Sequence, residues 1–509
     1  MNATEFILPH VETAAGQPAP WRALFAWEWR CIGRNPLLWA VSGLVALAFC
    51  VGAWSGGGLQ QAQQQAQQRQ AEADAAWMRE TLARVKAYAR PAAQPAPYWQ
   101  DPSDLAGFSR YQLRQHAYKP VLPLAALAVG GSDLAPSRWP VKLETPFGLE
   151  PGYDFESPRG LALGRFDLGF AIVGVLPLAL IVLVALLATL ERDRGMLRLI
   201  AAQAIHPRLW LGVRLLALAA WLLPLLALAL SLALLLGGAD LAAAWPEFLA
   251  AQALLAAYVL FWLALAAVVL SAWPGASAAL GGLLSAWLLF ALGLPLLGKL
   301  AADAWLPLPS RVLYVDAQRR IDDALNQQRD SVLTRAFRAD PLLAPHIDRI
   351  AGLDYATRMS FLAPVREQQL QDWPDRFAQA RAARERLGQA AGLIAVPLGL
   401  ESALAVLAGT DAARQARYEA QVRAYQLQLR DWFSTRIRRE IAAPTPRPAG
   451  SYARLNFTAH ADIPAFAPAD EPAAARVRAV LPLLAWLLAA AALLGAIAGW
   501  RLRRWPKEL

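Results

Sequence analysis

The chain has 509 residues, of which 57% are hydrophobic and 17% charged, with a formal charge of +10 and a mean hydropathy of +0.30. A soluble protein carries roughly 25% charged residues, so this balance excludes an ordinary soluble enzyme and points to membrane insertion. The basic residues cluster beside apolar runs, which explains the positive charge by membrane orientation rather than by nucleic acid.

A polar leader, residues 1–36, carries Arg22, Arg30 and Arg34 and ends in the amphipathic stretch Trp21 to Trp39. No cleavage site follows the first apolar run, which therefore reads as a signal anchor. Cys31 and Cys50 lie before and inside that run, too few and too badly placed for a disulfide framework. Crossing about 30 Å of hydrocarbon takes about 20 helical residues. Six segments qualify: Leu37 to Trp54, Leu168 to Leu190, Leu209 to Leu236, Phe248 to Ala272, Ala276 to Leu297 and Val480 to Trp500. Pro224 permits a kink in the third.

Basic clusters stand in the leader, between spans two and three (Arg192, Arg194, Arg198, Arg208) and in the tail 501–509 (Arg501, Arg503, Arg504, Lys507). Six crossings put all three on one side, which the positive-inside rule makes the cytoplasm. The expectation is a bacterial inner-membrane protein, multi-pass, with both termini cytoplasmic. Leu393 to Ala408 is apolar but short and contains Pro397 and Glu401, so it reads as a helix on the outer membrane surface or within a domain.

The fold class is thus a polytopic α-helical membrane protein with two large, mainly helical periplasmic regions. In chain order the layout is leader 1–36, span one 37–54, a first periplasmic region 55–165, spans two to five within 166–297, a second periplasmic region 298–478, span six 479–500 and a cytoplasmic tail. Gln60 to Arg90 lacks Gly and Pro and predicts a long helix rising from span one, with a low-complexity disordered tract as the alternative for its Gln-rich start. Helices are also predicted over Ala317 to Phe337, Val365 to Ala390 and Asp411 to Ile441. The last carries an apolar stripe of Tyr418, Val422, Tyr425, Leu429, Trp432 and Phe433 that reads as a packing face. Extended stretches near Val141 to Glu144 and Tyr452 to Thr458 predict a small sheet, and Pro444 to Pro448 a turn.

Little local chemistry is present. Gly293 to Lys299 matches G-x4-G-K but continues with Leu300 where a phosphate loop needs Ser or Thr, inside an apolar run. The five histidines are scattered, giving no metal-ligand spacing, and no G-x-S-x-G occurs. Ionisable residues (Asp167, Glu191, Arg214) lie at span ends, so ion coupling through the span centres has no support, and energy is expected from another protein.

The informative segment is the turn 191–208, with Glu191, Arg192, Arg194, Gly195, Leu197, Arg198, Pro207 and Arg208, followed by Arg214. Glu191, Gly195, Leu197, Pro207 and Arg214 resemble the type-2 ABC exporter permease family, with Met196 replacing the usual Ser or Thr. Leu407 to Asp411 and Asp462 to Phe466 resemble a subgroup with large extracytoplasmic loops bearing a domain-of-unknown-function label, similar to copper-enzyme-maturation and gliding-type ABC permeases.

The resemblance implies a permease subunit, not an enzyme, whose turn docks a separate ABC ATPase. It implies no cofactor on this chain, ATP and magnesium on the partner, and a homodimer or a paired sister permease. A periplasmic partner and the lipid membrane complete the expected contacts, without nucleic acid. Two alternatives stay open: a mechanotransmission permease working on an envelope partner without transport, and a membrane-anchored structural or sensor protein.

Overall fold

The computed structural model describes residues 20–88, 90, 97–144, 165–189, 207–272 and 276–503. Six helices among them are long and apolar enough to cross a membrane, each near a run expected from hydropathy. The amphipathic helix α1, Pro20–Arg34, precedes α2, Pro36–Tyr88, in which the first candidate span continues without a break. At 1.5 Å per residue its 53 residues extend about 80 Å, well beyond any bilayer. The predicted long helix above span one is therefore a strut continuous with it.

The next candidate spans are α3, Leu168–Leu187, α4, Pro207–Leu236, α5, Trp245–Ala272, and α6, Ser277–Trp305. The last is α13, Ala473–Leu502. α4 runs through Pro224 as one helix. The G-x4-G-K stretch lies wholly in α6, with π-helical Leu289–Gly293 and the following α-helical turns. It has no loop in which to cradle phosphate.

α3 contains π-helical turns at Ala171–Val175. Pro177 has no N–H to give the carbonyl of Val173, and the Tyr258 hydroxyl donates to it at 2.8 Å from α5. Trp287 Nε1 of α6 donates to the neighbouring Gly174 carbonyl at 3.2 Å. Two other helices thus donate to carbonyls of α3 one turn before Pro177.

The second long loop forms α7, Arg311–Gln327, α8, Arg329–Ala339, α9, Tyr355–Leu370, α10, Asp372–Ile394, α11, Val396–Ala408, and α12, Ala412–Ala442. Two helices expected to be single are split, at Gln328 and Gln371. α12 begins where the sequence places it, capped by the Asp411 side chain, which accepts from the Arg414 N–H. The two-stranded sheet pairs β1, His116–Tyr118, with β2, Arg138–Pro140, antiparallel. It therefore differs from the expected strands. Residues 141–144 follow β2, and the 452–458 stretch meets Asp104 through an isolated bridge at Asn456.

The two long loops share one core. Phe108, Trp139 and Val141 from the first pack with Phe337, Phe433 and Phe457 from the second, along the predicted α12 stripe. A separate apolar core joins the candidate spans, and Val396, Leu400, Leu404 and Leu407 of α11 belong to it. The 393–408 segment thus packs against the spans.

Candidate functional site

The segment between α3 and α4 holds most of the candidate residues expected from the sequence. Glu191, Arg192, Arg194, Gly195, Leu197 and Arg198 lie outside the described residues. Pro207 is the first residue of α4, a position that tolerates proline because the first N–H has no helical partner anyway. Arg208 follows, half-buried.

Arg214 is two turns into α4 and only 2% exposed. Its Nε donates to Glu28 Oε1 of α1 at 2.9 Å, and Nη1 donates to the Leu187 carbonyl at 2.6 Å. The guanidinium lies 4.8 Å from the Trp210 ring, four residues earlier on the same face. Glu28 is fully buried. One side chain therefore ties three pieces together: the amphipathic helix α1, the end of α3 and the start of α4.

Removing one partner from such a pair leaves a buried charge uncompensated, at a cost of about 3–5 kcal/mol. Around this pair α1 presents Trp21, Trp27 and Trp29 outward, with Arg22, Arg30 and Arg34. This is the amphipathic pattern of a helix lying at a membrane surface.

At the opposite ends of the spans, a second buried pair joins Arg476 at the start of α13 to Glu247 at the start of α5, the two helices in most extensive contact. Close by, Arg414 of α12 forms a bidentate pair with Asp470, its Nε and Nη2 donating at 2.8 and 2.7 Å. It also donates to the carbonyls of Gly409 at 2.8 Å and Pro120 at 2.7 Å. Arg414 thus fastens the second loop to the first, to the end of α11 and to the approach to α13. Burial raises the Asp470 carboxyl, but the bonded Arg414 guanidinium holds it below the ordinary range.

The strut is pinned to the same assembly. Gln67 of α2 donates to the carbonyls of Lys119 and Ser137, and Trp77 to that of Gln112. Asp74 accepts from the Tyr118 hydroxyl and shares a hydrogen bond with His116 Nδ1.

Arg214 was legible in the sequence as a span-end charge, but its partner Glu28 was not singled out. The available signal was that Glu28 is the sole acidic residue of the Trp- and Arg-rich helix 20–34. Among the described residues, no group of three or more His, Cys, Asp or Glu stands together as a metal site.

Residues 311–445 match a family described as a domain of unknown function, DUF3526. This stretch begins at α7 and ends just after α12, so it contains α11 as well as most of the shared loop core. No curated protein and no solved structure matches the chain.

Proposed function

We propose that the chain is a permease subunit of an ABC-type exporter in the bacterial inner membrane. A separate ATPase docks on the turn 191–208 and supplies ATP hydrolysis with its own magnesium. Both termini and the turn face the cytoplasm, the large loops face the periplasm, and the subunit works with a second copy or a sister permease. The DUF3526 match, a domain associated with ABC-transporter-like permeases, supports the reading.

The observation that carries it is the Arg214 junction. A turn that transmits force needs both of its ends held by something stiffer than itself, and Arg214 holds both, with α1 as a third support. Closure of a bound ATPase would then shift α1, α3 and α4 as a unit, a movement between discrete packed arrangements. Within the turn, Arg194 and Arg198 pair with acidic groups of the ATPase, while Leu197 fills an apolar slot.

Co-purification tests this directly. Arg194→Glu with Arg198→Glu is expected to release the ATPase while the protein still inserts and folds. Retention of the ATPase at the wild-type ratio would remove the turn from the mechanism.

A second reading has one specific observation in its favour. The continuous strut α2, hydrogen-bonded to the loop domain along its length, can carry motion from span one far from the membrane. On that reading the machine does mechanical work on an envelope partner. ATP-dependent cargo movement in proteoliposomes identifies the exporter; ATPase activity governed by a periplasmic partner, without cargo movement, identifies the lever.

A further inference from the structure

The strut α2 ends at Tyr88, 34 positions after Trp54 at the close of its apolar run, which is about 50 Å along the helix. Parts of both long loops are fastened to that far end. Gly450 N–H donates to the Tyr88 carbonyl at 2.8 Å, and the Ser451 hydroxyl and the Tyr452 N–H donate to Asp101. Trp77, about three turns earlier on α2, donates to the Gln112 carbonyl, and Gln112 Nε2 donates to the Trp99 carbonyl at 3.2 Å. This tip lies well beyond the headgroup layer of a bilayer that holds the spans.

Rings collect at the tip and stay uncovered. Trp99, Tyr111 and Tyr355 are 47%, 46% and 49% exposed. They belong to one cluster. The Tyr98 ring lies 5.2 Å from Trp99 and 6.4 Å from Tyr111, and the Arg110 guanidinium stands over both Tyr111 and Tyr355, at 5.4 and 4.8 Å. Rings at the end of a span would form an interfacial belt. At this height they face water, where their apolar area is costly until a partner covers it.

Two arginines complete the surface. Arg454 lies 5.2 Å over the Tyr98 ring, and Arg114 lies 3.8 Å over that of Trp77. Both are exposed, and among the described residues neither forms an ion pair. A guanidinium laid on a ring still has N–H edges to offer and less freedom to lose when they are bonded. A carboxylate can take two of those donors at once. The carboxyl groups of the same neighbourhood are engaged within the protein. Asp101, Asp104 and Asp354 are buried and accept from the N–H groups of Ser103, Gly107 and Thr357, and Glu144 pairs with Arg110.

We propose that this tip docks an acidic segment of another protein on the loop side of the membrane. Arg114 and Arg454 bond its carboxylates, and its large apolar side chains lie on Trp99, Tyr111 and Tyr355. Trp, Tyr and Arg are the residue types that carry most of the energy at protein interfaces, and here they stand together.

Charge selects the occupant, because two ring-stacked arginines without ion pairs are complementary to carboxylates. A glycan would stack on bare ring faces, and Tyr98, Tyr111, Tyr355 and Trp77 each already carry a guanidinium on one of theirs. Headgroups of the membrane that holds the spans do not reach this height. The proposal goes beyond both the exporter and the lever readings and rests on neither, requiring only that the candidate spans lie in a bilayer.

The probe is a phage-displayed library of random dodecapeptides, selected on the full chain in nanodiscs and counter-selected on a variant with Trp99→Ala, Arg114→Gln and Arg454→Gln. The peptides retained are expected to carry Asp or Glu beside Trp, Phe or Leu. A synthetic copy of the leading peptide should bind the variant about tenfold more weakly or worse. The same peptide with its carboxylates replaced by amides should lose as much on the unaltered chain, which decides the charge requirement without any variant. Arg319→Gln with Arg335→Gln, exposed on α7 and α8, should leave binding unchanged. Failure of every peptide to distinguish wild type from variant, enrichment of basic or uncharged peptides, or equal loss in the Arg319 and Arg335 control each overturns the proposal. Displacement of the peptide by inorganic polyphosphate as readily as by free peptide would assign a phosphate-bearing partner and overturns it too.

Discussion

Where α2 passes the start of α3 and the end of α4, it approaches their flanking backbone through its glycines. Gly57 of α2 sits so close to Gly237 that a Cβ on Gly57 would strike the Gly237 carbonyl, and Gly52 stands equally close to the backbone of Asp167. In the loop domain large rings dominate the core, as they also do between α5 and α6, where Phe261 and Trp262 meet Phe290 at 6.3 and 6.4 Å. Phe108, Phe433 and Phe457 meet at centroid distances of 5.1 to 6.4 Å, and Arg436 lies 3.5 Å over the Trp432 ring. What each kind of contact gains depends on the solvent around it. Lipid gives helices no hydrophobic reason to associate, so close backbone contact must supply the attraction. Water drives aromatic area into the interior, so bulk is an advantage there.

Charge divides the molecule in the same way. The buried pairs Arg214–Glu28 and Arg476–Glu247 sit at the two ends of the spans and fix helix ends to each other. Arg414 joins sequence-distant loops and takes four acceptors to do so.

If charge anchors the join between the regions, Arg414→Ala should be the most damaging substitution. It strands Asp470 and frees two carbonyls, so a loss of about 4 kcal/mol is expected. Thermal unfolding and protease cutting near residue 409 would register it, and an unchanged melting temperature would contradict the anchoring role.

A pH titration sharpens the picture for the loop domain alone. Asp104 is fully buried. Burial pushes its carboxyl up to about 6 from an ordinary 3.8, against N–H bonds from Gly107, Arg454 and Leu455 and with help from Asp354. Between about pH 4 and 6 the folded state thus holds a proton that the unfolded chain has released. Stability should fall as pH rises through that window, by up to about 3 kcal/mol for a shift of about two units. Asp104→Asn should flatten the dependence, as read by melting temperature against pH.

The smallest effect tests the span side. Gly57→Ala forces α2 away from Gly237 and should cost about 1–3 kcal/mol. Gly58→Ala, with open space around its Cβ, should be neutral or slightly stabilising. Equal effects at the two neighbours would show that backbone proximity does not hold α2 in place.

The spans, the strut and the α12 stripe were readable because each depends on a local pattern: apolar length, a run of helix formers, or apolar spacing along one face. The G-x4-G-K coincidence was readable for the same reason, since an apolar run forms a helix rather than a loop. The junction was only half readable. Arg214 stands out as a charge at a span end, but Glu28, 186 positions away, acquires its role only when α1 folds back against α4.

What the sequence by itself determined, then, is how often the chain can cross a membrane and which segments are helical. These follow from side-chain transfer energies and from hydrogen bonds made within one segment. Tertiary structure decided that the two long loops form one core, that the strands pair at 116–118 and 138–140, and that the 393–408 segment joins the spans. Each of those depends on which distant surface a segment meets, and a pattern along the chain does not encode that partner.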